Sequence, residues 1–166
     1  MSARLSTAIK LGQAAKGILR KTRSLPDVGF EDMHQHEHFG VEPMLLALSM
    51  ELALKAWFVF DYDDPKPARS HNLAQLFKKL KPEGREKLDA EFKKAVAPYH
   101  PNLLYPDYSI RDILYQHKDA FIDWRYLHET KSTMFDRGAF EATLEMVLIE
   151  FDKRYRIERV EPLWRS

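Results

Sequence analysis

The chain of 166 residues contains no cysteine. Disulfide scaffolds, thiolate metal sites and cysteine nucleophiles are therefore excluded, and a reducing compartment is the natural fit. Excess charge of either sign is also missing, because 26 Lys and Arg face 25 Asp and Glu for a formal net charge of +1. Nothing global argues for coating DNA or an anionic membrane, so any nucleic-acid site must be local. The basic N-terminal segment lacks a continuous apolar stretch and a small-residue cleavage site, and does not read as a secretory signal. Convincing alternation of apolar and polar residues is absent too, which leaves no expected strand. These absences point to a cytoplasmic, all-α protein of one domain spanning 1–166.

What is present is a succession of helical patterns. Leu5, Ala8, Ile9, Ala15 and Leu19 form a stripe on a basic helix that should end before Pro26. Residues from Asp27 to Gly40 are polar and read as loop. From Pro43 to Phe60 the chain is almost entirely apolar, so a helix there belongs at the centre of a bundle. Glu42, Pro43, Glu51 and Lys55 make the same stretch a poor membrane span. It should stop in Asp61 to Pro67, where prolines and aspartates oppose continuation.

Ser70 is the expected cap of a short helix bearing Leu73, Leu76, Phe77 and Leu80. A further helix starts after Pro82 and carries Leu88, Phe92 and Val96. The stretch His100 to Tyr108 reads as a packed loop. Ser109 should cap one long helix with Ile110, Ile113, Leu114, Phe121, Trp124 and Leu127 inward, and His117 falls in that stripe. The last helix is expected from about Asp136 to Ile157. The architecture predicted is an antiparallel up-and-down bundle of four principal helices with one or two additional short ones.

Several groups carry chemistry. Glu51 and Lys55 are i,i+4 neighbours in an apolar helix, and Arg125 and Glu129 repeat that spacing on a later one. Burial of single charges is costly, so the two pairs are expected to interlock as one buried network. His71, beside Ser70 at a helix start, has two readings: phosphate or proton chemistry near the positive helix end, or a capping element that bonds a neighbouring helix. His34, His36 and His38 alternate beside Glu31, Asp32 and Glu37, a composition that can hold a divalent metal. Their spacing matches no closed zinc signature, so neither metal nor cofactor is expected. Lys78, Lys79, Lys81, Arg85, Lys87, Lys93 and Lys94 are diluted by acidic residues and read as a solvated face.

The run Leu48-Ser49-Met50-Glu51-Leu52-Ala53-Leu54-Lys55-Ala56, then Ser70-His71-Asn72-Leu73 with Leu76 and Leu80, then Phe121-Ile122-Asp123-Trp124-Arg125-Tyr126 with Glu129, resembles the HEPN superfamily over about residues 43–152. The resemblance implies a helical bundle that dimerises, found in toxin-antitoxin pairs, phage defence and RNA processing. It further implies, for many members, a metal-independent endoribonuclease using Arg-x(4 to 6)-His with a polar residue after the Arg. Arg111 to His117 fits that pattern, with Asp112 in the polar position. In such a site the histidine moves protons and the arginine holds the phosphate. Residues six apart on an ideal helix point about 120° away from each other, so a second protomer would have to complete the cleft.

The expectation is a HEPN-like homodimer acting on RNA, with an antitoxin protein as a further partner and no membrane. A non-enzymatic HEPN-like module binding a nucleotide or a protein is the first alternative, and it treats His117 as a packed core residue. The second alternative is an all-α metal-binding protein built on His34, His36 and His38.

Overall fold

The computed structural model describes residues 2–25, 40–62, 64–126 and 134–160, with side chains described up to 155. It is all-α, with no strand among the described residues. Helix α1 (Ala3–Arg23) opens on Ser2, whose hydroxyl accepts from the Leu5 amide, and closes on a basic last turn that suits the helix dipole. Its buried face is Ala8, Gly12, Ala15, Leu19 and Thr22, at steps of three and four.

That face packs on α2 (Val41–Asp61), the apolar helix, which is buried on nearly all sides. By length and composition α2 could cross a membrane, yet 61% of its apolar window is buried inside the protein. The Ser49 hydroxyl donates to the Ala15 carbonyl at 2.7 Å and the Arg4 guanidinium to the Phe60 carbonyl at 2.9 Å. The start of α1 thus meets the end of α2, and the two run antiparallel. Gly12 matters here because a Cβ at that position would lie 2.9 Å from the Phe151 ring. Only glycine lets α1 approach α7 (Arg137–Val160) this closely. Lys16 to Asp152 at 2.5 Å and Arg23 to Glu145 at 3.1 Å continue the same seam.

α2 and α7 share the core. The Trp57 indole N–H donates to the Val147 carbonyl at 3.2 Å. Asp61 pairs with Arg154, whose guanidinium lies 4.6 Å from the Phe60 ring centroid and 5.0 Å from that of Trp57. α3 (Leu73–Lys78) and α4 (Pro82–Ala95) place Leu73, Leu76, Phe77, Leu88 and Phe92 against this centre. Asn72, not Ser70, caps α3: its Oδ1 accepts from the Gln75 amide at 2.9 Å, while the Ser70 hydroxyl accepts from Asn72 itself.

The long helix expected from Ser109 is two short ones, α5 (Ile110–Gln116) and α6 (Ala120–Arg125). A capping box joins Ser109 and Asp112 at the start of α5. The chain breaks at His117 to Asp119, where the freed Lys118 carbonyl accepts the Leu73 amide at 2.9 Å and Asp119 accepts from the Asn72 side chain at 3.2 Å. Leu73 N–H is a helix-start donor with no partner inside α3, so the break and the start of α3 satisfy each other.

Candidate functional site

The Glu51–Lys55 pair forms as the spacing requires, with Lys55 Nζ 2.6 Å from Glu51 Oε1. Glu51 is 3% exposed, and its second oxygen is 3.0 Å from Nδ1 of His71. A carboxylate only accepts hydrogen bonds, so the histidine nitrogen facing it carries the proton. In the neutral ring Nε2 is then the acceptor, the arrangement used wherever a histidine must take up a proton. The His71 side chain is 57% exposed and its ring stacks on Phe121 of α6, centroids 5.6 Å apart. The buried Glu51 carboxylate thus bridges a largely buried ammonium on one oxygen and an exposed, oriented imidazole on the other.

Arg125 does not join this group. It is exposed, with its guanidinium 5.4 Å from the Tyr126 ring centroid. Trp124 lies inward beside Ala47 and Ala120, as its place in the apolar stripe predicts, and its neighbour Arg125 faces solvent. His71 occupies the place in the charge network that Arg125 was expected to fill. Glu129 lies outside the described residues, as do His34, His36 and His38. Among the described residues no cluster of His, Asp and Glu has the make-up of a metal site.

Arg111 and His117 part company. Arg111 is exposed on α5 and lines two surface clefts, whereas His117 ends that helix at 3% exposure and lines neither. The His117 ring packs against Phe135 and Phe140, with centroids at 4.7 and 5.5 Å. Its Nε2 accepts from the Asp136 amide at 3.4 Å. Burial pushes its pKa down to about 4, against a weaker upward pull from Asp136. The ring is a neutral core group at physiological pH. Of the two readings of His117, a catalytic ring open to a dimer cleft and a packed core residue, its burial agrees with the second: an imidazole in the apolar stripe follows the stripe inward.

Two features escaped the sequence reading. Asn72 and Asp119 join α3 to the α5–α6 break, and the signal was present only as an asparagine at a helix start. Arg85, read as part of a solvated face, lines the same two clefts as Arg111. Other cations of that stretch do behave as surface charges: Lys87 pairs with Glu150 at 3.4 Å, and Lys93 with Asp89 and Asp107 at 3.3 and 3.2 Å. No protein-family model, curated protein or solved structure matches the chain.

Proposed function

We propose that the chain is a HEPN-like cytoplasmic protein that works as a homodimer and binds RNA or a nucleotide, without cutting RNA through Arg111 and His117. The observation that carries the choice of binding over cleavage is the buried, neutral His117 ring, 3% exposed between Phe135 and Phe140; the HEPN-like and dimeric parts rest on the sequence resemblance. A ring so enclosed has no path to a 2'-hydroxyl or to a leaving 5'-oxygen. Arg111 stays exposed and keeps its capacity to hold a phosphate. The HEPN resemblance adds a toxin or phage-defence setting with an antitoxin-like protein as the second partner.

The test is purified protein with labelled single-stranded RNA in excess chelator. Retarded mobility without new 2',3'-cyclic phosphate ends is expected, and light scattering should give twice the chain mass. Chelator-resistant cleavage abolished by His117→Ala in a folded protein overturns the reading. A second reading is favoured by one observation, the exposed His71 ring oriented by buried Glu51. On that reading the protein is a ribonuclease whose proton carrier is His71, and cleavage lost in His71→Ala but kept in His117→Ala establishes it.

A further inference from the structure

Arg85 of α4 and Arg111 of α5 are shared by two clefts of about 350 and 410 Å³. The smaller is balanced in charge, because its Lys93 is held by Asp89 and Asp107. The larger is not. Its lining holds three cations, Lys78, Arg85 and Arg111, and one carboxylate, Asp112. Asp112 is already engaged, since its Oδ2 accepts from the amide and the hydroxyl of Ser109 at 2.8 Å each. None of the three cations makes an ion pair among the described residues, and the Arg85 Nε is buried with no hydrogen-bond partner there. With Lys78 and Arg111 exposed beside Arg85 and no free carboxylate in the lining, the cleft carries a net positive charge that attracts an anion.

The rest of the wall is apolar and aromatic: Phe77, Leu114, Tyr105 and Tyr115. Tyr105 is braced by a stacked partner, Tyr108, at 5.8 Å and 19°. Guanidinium forks recognise phosphate oxygens two at a time, and aromatic side chains take the face of a base. A volume of about 410 Å³ lies within the ordinary range of small-ligand sites.

We propose that this cleft binds a nucleoside monophosphate unit, with its phosphate on Arg85 and Arg111 and its base along the Tyr105 and Phe77 wall. The proposal rests on the binding reading given above and names its site and ligand. A free nucleotide and one nucleotide of an RNA strand offer the same chemistry, and the experiment separates them.

Calorimetric titrations of the full chain would use AMP, UMP, adenosine, orthophosphate and an eight-nucleotide single-stranded RNA. Each would be run on the wild type, on Arg111→Gln and on Lys10→Gln, an exposed position on α1. A monophosphate should bind, and Arg111→Gln should weaken it about tenfold or more, the loss expected for a charge-assisted phosphate contact. Lys10→Gln should leave the affinity unchanged, while adenosine and orthophosphate should each bind more weakly than AMP. Arg85→Gln, checked for an unchanged melting curve, should repeat the loss. RNA affinity falling in parallel assigns the cleft to a strand, and AMP binding without RNA binding assigns it to a free nucleotide and defeats the RNA half of the functional reading. RNA binding that ignores Arg111→Gln, with no monophosphate bound, overturns the cleft and leaves the binding module standing. Orthophosphate binding as tightly as AMP also overturns the proposal, since the aromatic wall then contributes nothing.

Discussion

The Nδ1 of His71 lies 3.0 Å from a carboxylate oxygen of Glu51, whose other oxygen is 2.6 Å from the Lys55 ammonium. One buried anion therefore serves two cationic or donor groups of different exposure, and the consequences of removing each member differ. Glu51→Ala strands Lys55, whose side chain is only 13% exposed. The expected loss is about 3 kcal/mol, the low end for breaking a buried pair because the lysine stem can extend toward water. His71→Ala should cost less than about 1 kcal/mol, as for an exposed partner. Urea unfolding of both variants checks the ranking, and equal midpoints for Glu51→Ala and wild type would refute the buried-pair account.

Acid stability should carry the signature of His117. Its folded pKa is about 4 against an ordinary 6.5, so the unfolded chain binds the extra proton more readily. Stability is fully present above pH 6.5 and is lost as pH falls toward 4, by about 3 kcal/mol in all. Glu150, held below the carboxylate range by Lys153 and Lys87 against its own desolvation, contributes a further loss at lower pH. Unfolding free energies measured from pH 7 to 4 should show the upper part of this slope in the wild type and its disappearance in His117→Leu. A slope that survives that substitution would mean the ring is not the proton acceptor.

The two helical glycines of α1 should respond oppositely to alanine. At Gly12 the new Cβ meets Phe151, a buried ring that would have to shift, and Gly12→Ala should destabilise by about 1 kcal/mol even after the gain in helix propensity. At Gly17 nothing lies within 4 Å, and Gly17→Ala should stabilise by about 0.5 to 1 kcal/mol. Thermal melts of the two variants should bracket the wild type, and a Gly12→Ala melt at or above it would refute the tight α1–α7 contact.

Metal content provides an independent check on the histidine-rich stretch. Because His34, His36 and His38 lack the spacing of a closed site, protein purified without a tag should carry no stoichiometric zinc or iron by elemental analysis. One tightly bound ion per chain, lost in His36→Ala or His38→Ala, would promote the metalloprotein alternative.

The sequence by itself determined the elements whose signals are local. The apolar periodicity of α1, α4 and α7 and the largely apolar run of α2 set helices within a few residues of where they lie, because burial of a face acts along a single helix. The Glu51–Lys55 pair was legible for the same reason, since i,i+4 neighbours on one helix need no other element. Tertiary structure decided the rest. No proline or glycine marks the break between α5 and α6; the carbonyl freed there, that of Lys118, accepts the Leu73 amide, a partner distant in sequence. Trp124 follows its stripe inward, but it is His71 and not Arg125 that reaches Glu51, a contact made only where α3 starts beside α2. Likewise, Arg85 and Arg111 line one cleft only because α4 and α5 pack together, so a row of charges that reads as solvated along the chain holds an unsatisfied guanidinium donor in the fold.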